Sequence, residues 1–119
     1  MQFNSLNEEE KKVILHKGTE YAFSGKFYNS KENGIYTCKQ CNVELFDSNA
    51  KFDSGTGWPS FDEDIHNYVK EVPDADGRRV EIVCANCGGH LGHLFRGEMM
   101  TQKNARYCVN SISLDFKKL

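Results

Sequence analysis

The alternation of apolar and polar residues along the chain predicts several short β-strands. β-Branched and aromatic side chains favour extended backbone. They recur here in short runs, and residues typical of turns stand at the ends of these runs. These runs predict strands over residues 35–37, 43–46, 80–83 and 106–111, and a further extended segment that begins at Tyr68. Two of the predicted strands lead directly into cysteine pairs, so strand and cysteine pair together form a weak internal repeat.

One helix is predicted near the N-terminus. Asn7 can cap its first turn, and Glu10, three residues later, completes the pattern of a capping box. Val13 and Ile14 supply a short apolar face, and Gly18 is a suitable place for the helix to stop.

Three segments between these elements have no regular period. Residues 19–31 carry scattered aromatic side chains, and we expect them to wrap over the core in irregular form. Residues 52–61 place two glycines and a proline around Trp58, which is typical of a shaped loop. Residues 74–79 form a polar turn.

Length and charge bound the possible functions. A chain of 119 residues suits a single domain, residues 1–119, with one modest core. The formal net charge of −2 predicts no nucleic-acid partner, and no window approaches the roughly 18 apolar residues of a membrane span. The N-terminal residues have no apolar signal region, so we expect a cytoplasmic protein unless a targeting segment has been removed.

The five cysteines leave at least one thiol without an internal disulfide partner. Four of them form two C-x-x-C pairs, Cys38 with Cys41 and Cys84 with Cys87. Two such knuckles offer the four thiolates of one closed, structural Zn²⁺ site. Redox dithiols or an iron–sulfur centre would use the same residues, but two similar knuckles that both follow strands favour zinc.

The remaining cysteine, Cys108, lies in the predicted strand 106–111. Because side chains alternate along a strand, Arg106, Cys108 and Asn110 should share one face. A neighbouring guanidinium would lower the pKa of the thiol and favour a nucleophilic thiolate. The alternative is an inert core side chain, since free cysteines are commonly buried.

Two histidines close to the second cysteine pair are candidates for proton transfer. His90 and His93 follow Cys87, and imidazole titrates near neutral pH. Metal binding is a competing role, although four thiolates already close that site. A hydrogen-bonded structural histidine is a further alternative, especially for His90. His16 and His66 lie in polar stretches, where we expect solvated side chains.

Four motifs together carry a resemblance to a known family. They are the loop Gly55-Thr56-Gly57-Trp58-Pro59-Ser60-Phe61, the two C-x-x-C pairs, Gly89-His90-Leu91-Gly92-His93, and Arg106-Tyr107-Cys108-Val109-Asn110-Ser111. In this order, over about residues 20–114, the chain resembles the methionine-R-sulfoxide reductases of the B type. The resemblance implies a mainly β fold of two antiparallel sheets in a small zinc-stapled domain (Mss4-like, or β-tent), with short N-terminal helices.

The resemblance also implies a reaction. Its substrate would be the R epimer of methionine sulfoxide in oxidised proteins, with the free amino acid as a second candidate. Cys108 would attack the sulfoxide sulfur and become a sulfenic acid. His93 would donate a proton or a hydrogen bond to the departing oxygen, assisted by Asn110 and His90.

The same resemblance assigns residues that bind the substrate. Trp58 would form an aromatic wall for the S-methyl group, which an indole face suits. Phe61, in the same loop, and His93 would complete the substrate site. Arg106 would favour the thiolate.

One position departs from the commoner pattern of that family. Many members carry a resolving cysteine where this chain has Thr56, and the other four cysteines here are assigned to zinc. We therefore expect no internal disulfide after the first step. An external thiol would recycle Cys108, supplied by thioredoxin or by a glutathione/glutaredoxin system. Residues 97–104 also differ from the Pro-rich segment usual in the family.

Two other classes of function would use the same residues. A zinc-ribbon binding module would hold a partner on its knuckles, but it leaves Trp58 and Cys108 without a role. A redox sensor or chaperone would release zinc when its C-x-x-C thiols are oxidised, before any turnover at Cys108. The combination of motifs favours the enzyme.

Overall fold

The computed structural model describes residues 3–119, which contain one α-helix and nine β-strands. The helix is α1 (Glu8–Ile14), and the strands are β1 (Gly34–Cys38), β2 (Glu44–Asp47), β3 (Lys51–Phe52), β4 (Ser60–Phe61), β5 (Val69–Pro73), β6 (Val80–Cys84), β7 (His90–Arg96), β8 (Ala105–Val109) and β9 (Leu114–Lys118). Two short 3-10 turns occupy Ser48–Ala50 and Ser111–Ser113. The mainly β architecture is confirmed, with one helix in the described residues where several short ones were expected.

The strands form two antiparallel sheets. The smaller has the order β2–β1–β9, and the larger has the order β3–β4–β8–β7–β6–β5. Strands β7 and β8 are therefore paired on both sides at the centre of the larger sheet. Residues on these two strands pair with residues of the strands on either side. The register of β7 and β8 therefore decides which side chains lie next to each other at the centre of the sheet.

Aromatic side chains fill the core. Tyr36 of β1 meets Phe61 of β4 with ring centroids 5.2 Å apart, and Phe46 of β2 stacks on Phe61 at 4.3 Å. All three side chains are completely buried. Burial of each side chain stabilises the fold by about 1.5–3 kcal/mol. This aromatic cluster is therefore a major stabilising contact between the smaller and larger sheets.

Helix α1 begins at the predicted capping box. The Asn7 side chain accepts a hydrogen bond from the Glu10 N–H, and the Glu10 carboxylate accepts one from the Asn7 N–H, both at 2.8 Å. Val13 and Ile14 are buried, as predicted, and the helix packs against β7. Within residues 3–119, no helix combines the length and apolar character that crossing a bilayer requires.

Strands β7 and β9 lie outside the strands that the sequence pattern predicts. In β7, a glycine between two histidines interrupts the apolar alternation. That glycine, Gly92, is required by packing, because a Cβ there would overlap the Cys108 carbonyl oxygen. The close contact that forbids a side chain at Gly92 brings β7 and β8 together at the position of Cys108.

Candidate active site and metal centre

The two C-x-x-C pairs share one backbone conformation. In each pair, the residue after the second cysteine donates its N–H to the carbonyl of the first cysteine, Asn42 to Cys38 and Gly88 to Cys84, at 2.8 Å. Asn42 and Gly88 both adopt positive φ, 70° and 78°, which turns the chain sharply. The weak repeat in the sequence is therefore a repeated knuckle.

The knuckles bring their four thiols together. All four Sγ atoms lie within 4.8 Å of one another, with Cys38 and Cys87 3.6 Å apart and Cys41 and Cys84 3.5 Å apart. Tetrahedral zinc with Zn–S bonds of about 2.3 Å places its sulfurs about 3.8 Å apart. The donor set thus fits zinc, and four sulfur ligands leave no coordination position for a substrate.

The charge state of these thiols also indicates a cation. Hydrogen bonds to Cys84 and Cys87, followed by burial, raise the pKa of Cys38. Hydrogen bonds from Cys38 and Cys84 lower the pKa of Cys87 to about 2. The two pKa values move in opposite directions because these neighbouring thiols share hydrogen bonds at short spacing. Four thiolates at this spacing require a positive ion to offset their repulsion.

Cys108 lies on the central strand β8, between two polar neighbours. It pairs with Ser60 of β4 on one side and with His93 of β7 on the other. Residues that pair directly across antiparallel strands point to the same face of the sheet. The thiol and the imidazole therefore project together from the larger sheet.

A cavity of about 170 Å³ adjoins this thiol. It is smaller than the roughly 300 Å³ at which pockets for drug-sized ligands begin, and it suits a single side chain. Its lining residues are Thr19, Thr56, Trp58, Arg79, Gly92, His93, Phe95, Arg106, Cys108, Val109 and Asn110. Five residues predicted for the site are brought together here: Trp58, His93, Arg106, Cys108 and Asn110.

His93 is held by a carboxylate. Its Nε2 lies 3.1 Å from Asp74 Oδ2, and the same oxygen lies 3.2 Å from Arg79 Nη2. The His93 and Asp74 side chains are only 13% and 15% exposed. A carboxylate on one ring nitrogen fixes the orientation of the imidazole, so the ring is held in place beside the thiol.

Arg106 is fixed between the cavity and Glu98. Its Nε and Nη2 donate to the two oxygens of Glu98 at 2.8 and 3.2 Å, and its guanidinium lies 4.6 Å from the centroid of the Phe95 ring. Its Nη1 is buried without a hydrogen-bond partner among the described residues. A donor held in this way can stabilise negative charge that develops in the cavity.

The pKa of Cys108 is raised, whereas the sequence predicted that it would be lowered. Burial raises the pKa of the thiol, and the opposing effect of Arg106 offsets it only in part. The carboxylates of Glu20 and Glu98 act in the same direction as burial. The resting group is therefore a neutral thiol rather than a preformed thiolate.

Glu20 connects the Trp58 loop to the end of β8. Its backbone carbonyl accepts from the Trp58 indole N–H at 3.0 Å, and its carboxylate accepts from the N–H groups of Ser111 and Ile112 at 2.9 and 3.0 Å. Its own N–H donates to Asn110 Oδ1 at 3.0 Å. The irregular segment that contains Glu20 therefore positions one wall of the cavity.

Two residues predicted for the site lie outside the cavity lining. Phe61 is completely buried in the core against Phe46, a position that does not support contact with a substrate. His90 is 3% exposed, and its Nδ1 lies 2.8 Å from Glu81 Oε2. Burial lowers the pKa of His90, although Glu81 opposes this shift.

Asp74, Glu20 and Glu98 contact the site but escape the sequence analysis. Glu20 and Asp74 reach it through contacts between distant segments, as when Glu20 bonds to residues about ninety positions away. Glu98 lies only eight positions from its partner Arg106. The one signal in the sequence is the concentration of charge in residues 74–79, which contain both Asp74 and Arg79.

Thr56 lines the cavity at the position predicted to lack a resolving thiol. Its Oγ1 lies 2.7 Å from Ser54 Oγ, which also accepts from the Ser60 hydroxyl at 2.8 Å. This part of the loop therefore offers hydroxyl groups next to the Cys108 strand, in place of a second sulfur.

The fold and the site define a class: a small β domain with four clustered cysteine sulfurs that could hold a metal ion and one separate thiol in a side-chain-sized cavity. The SelR domain family matches residues 6–118, and the chain belongs to that family.

Similar proteins from an archaeon and from plants are named peptide methionine sulfoxide reductases. The chain is 50% identical over 116 residues to the peptide methionine sulfoxide reductase MsrB of Methanosarcina barkeri, covering 94% of this chain and 80% of that protein. It is 48% identical over 112 residues to the chloroplastic peptide methionine sulfoxide reductase B2 of Arabidopsis thaliana, covering 93% of this chain. The chain spans 55% of the length of that plant protein, and 64% of the length of B3 from the same plant.

If the four cysteines hold a structural zinc ion, its loss is expected to unfold the protein, because binding of such an ion is coupled to folding. Treatment with a chelator, or the substitution Cys38→Ser, should abolish the cooperative thermal transition seen by circular dichroism. The control Cys108→Ser should keep the wild-type zinc content and melting temperature. A Cys38→Ser protein that melts like the wild type would contradict the structural role of the cluster.

Arg106→Met is expected to raise the pKa of Cys108 further, because the variant removes the cation that opposes burial. The midpoint of Cys108 alkylation by iodoacetamide, followed against pH by peptide mass spectrometry, should therefore move to higher pH. Arg96→Met is the matched control, since Arg96 pairs with Glu71 at 2.9 and 3.0 Å on the surface. A midpoint that falls or stays constant in Arg106→Met would exclude this electrostatic role.

Proposed function

We propose that the chain reduces the R epimer of methionine sulfoxide in oxidised proteins, with Cys108 as the nucleophile. The observation that carries the proposal is the cavity in which Cys108, His93, Arg106 and Trp58 meet, in a chain of the SelR family. The zinc-ribbon and redox-sensor alternatives assign no role to this cavity. Free methionine sulfoxide is a second candidate substrate for the same site.

In the chemical step, oxygen passes from the substrate sulfur to Cys108. The Cys108 sulfur attacks the sulfoxide, the bond between the substrate sulfur and its oxygen breaks, and the oxygen remains on Cys108 as a sulfenic acid. The substrate sulfur gains two electrons and leaves as a thioether, while Cys108 loses two. The proton of the neutral thiol supplies the hydrogen of the sulfenic acid, so atoms and charge balance.

Three side chains around the thiol have separate roles in this reaction. His93, held by Asp74, carries the thiol proton towards the sulfoxide oxygen as the thiolate forms. The buried Nη1 of Arg106 stabilises the negative charge that develops on sulfur and oxygen. The indole of Trp58, fixed through its N–H to Glu20, offers an apolar face to the S-methyl group.

The proposed zinc ion takes no part in these steps. Cys38, Cys41, Cys84 and Cys87 would hold it and, when bound, it would join the two knuckles as a structural element.

Recycling of Cys108 is assigned to an external thiol. The sulfenic acid condenses with that thiol to a mixed disulfide and water, and a second thiol then releases Cys108 as a thiol. Thioredoxin and a glutathione/glutaredoxin system are the candidate donors. Thr56 and the commitment of four cysteines to metal support this proposal. The cytoplasmic location and the single domain over residues 1–119 stay predictions.

An epimer-resolved assay tests the reaction. With dithiothreitol as reductant and a peptide that contains methionine sulfoxide, we expect turnover of the R epimer alone. Cys108→Ser should lower the rate by at least about 1,000-fold, because it removes the nucleophile, with zinc content unchanged. Turnover of the S epimer, or an active Cys108→Ser protein, would refute the mechanism.

Counting thiols tests the recycling route. One equivalent of substrate without reductant should consume one thiol and leave Cys108 open to a sulfenic-acid trap such as dimedone, detected by mass spectrometry. Loss of two thiols with a disulfide that links Cys108 to another cysteine of the chain would show an internal resolving residue. The five thiols of the untreated, denatured protein give the reference count.

A further inference from the structure

The strongest feature outside the cavity lining is a buried carboxylate behind the histidines. Glu81 of β6 is only 1% exposed. Its carboxylate contacts one charged side chain, Lys17, and one titratable side chain, His90. Its Oε2 lies 2.8 Å from His90 Nδ1, and its Oε1 accepts from Lys17 Nζ at 3.1 Å. A carboxylate is seldom buried this deeply without a specific interaction to offset the loss of water.

The register of the larger sheet connects Glu81 to the nucleophile. Glu81 pairs with His93, and His93 pairs with Cys108, so the three side chains form one row on the same face across β6, β7 and β8. The rings of His90 and His93 lie 5.7 Å apart at an interplanar angle of 74°. The carboxylate thus holds the histidine that lies next to the proposed proton carrier.

The contact with Glu81 also selects a tautomer. An ionised carboxylate only accepts hydrogen bonds, so His90 must carry a proton on Nδ1. Its Nε2 is buried and has no hydrogen-bond partner among the described residues. A neutral ring needs no partner of opposite charge there, whereas a protonated ring would bury an unpaired N–H.

Lys17 reaches Glu81 from the N-terminal part of the chain. It follows helix α1 in the left-handed region, with φ 60°. Helix α1 packs against β7, and Ile14 lies close to Gly89, the residue before β7, where its Cγ2 would be 2.9 Å from an added Cβ. The Lys17 side chain is 63% exposed, so solvent weakens its ion pair. The groups that face His90 are therefore Glu81, Lys17 and His93, with Asp74 beyond His93.

We propose that Glu81 and Lys17 are positioning residues for His90: Glu81 holds its Nδ1–H, and Lys17 offsets the carboxylate charge so that the ring stays neutral. The inference rests on the proposed reductase function. Two imidazolium ions at this separation would repel each other, so a neutral His90 lets His93 carry the proton that the sulfoxide oxygen receives.

Two substitutions should shift His90 in opposite directions. Glu81→Gln removes the charge that favours protonation, so the pKa of His90 should fall and the tautomer protonated on Nε2 should gain population. Lys17→Met removes a positive charge, so the pKa of His90 should rise. Long-range proton–nitrogen NMR of the full-length, zinc-loaded protein measures both quantities for each ring.

The reaction should respond in a matching way. In Lys17→Met, the acidic limb of the kcat–pH profile should move upward together with the pKa of His90, while KM stays near the wild-type value. Glu81→Gln should lower kcat by about tenfold, as expected when a histidine loses the carboxylate that orients it. The exposed position of Lys17 keeps its variant informative even if Glu81→Gln fails to fold.

The chain contains a matched control on its surface. Lys117, Glu44 and His66 form the same set of residue types, with Lys117 Nζ 2.6 Å and His66 Nε2 3.3 Å from the Glu44 carboxylate. Glu44→Gln and Lys117→Met should leave both the His90 signals and kcat at their wild-type values.

Opposite pKa shifts at His90 with the matching kinetic changes would support the proposal. It would be overturned by a His90 tautomer and pKa that stay at the control values in Lys17→Met, or by a loss of kcat in Glu81→Gln with unchanged His90 signals. If the wild type lacks reductase activity, the proposed function fails, and the NMR shifts still report whether Glu81 and Lys17 govern His90.

Discussion

The position of the four sulfurs is the constraint on which the rest of the structure depends. Cys38 ends β1 of the smaller sheet, and Cys84 ends β6 of the larger sheet, so the four-sulfur cluster joins the two sheets at one point. A small domain buries a limited apolar surface, and a structural metal adds stability that its core alone does not supply. The strand that ends at Cys84 is also the strand that carries Glu81 to His90 and pairs with β7.

The site itself is built from paired strands and from carboxylates that hold its bases. The register of β7 and β8 places His93 beside Cys108, and the missing side chain of Gly92 permits the close approach of the strands. Asp74 holds His93, and Glu98 holds Arg106. Fixing cations and imidazoles before the substrate arrives reduces the reorganisation that the reaction requires.

Burial has opposing effects on this chemistry. It strengthens electrostatic contacts around the thiol, but it also raises the pKa of the Cys108 thiol. The prediction of a lowered pKa rested on the neighbouring guanidinium, with an inert buried thiol as the alternative, and the lowered pKa is wrong in direction. Burial of the thiol in the sheet raises its pKa by more than the single charge beside it lowers the pKa. No local sequence pattern reports how deeply the thiol is buried.

The sequence by itself determined the features that depend on residues close together along the chain. The capping box of α1, the two knuckles, and the strands before them follow from local hydrogen bonds and turn conformations. The separation of Cys108 from the four cysteines of the two C-x-x-C pairs is equally visible from their number and spacing. Only the tertiary structure decided which distant groups meet: Phe61 belongs to the core, Glu20 supports the Trp58 loop, and Asp74 and Glu81 hold the histidines. Contacts of this kind depend on strand order and register across long stretches of chain, and a side chain in one segment carries no local trace of its partner in another.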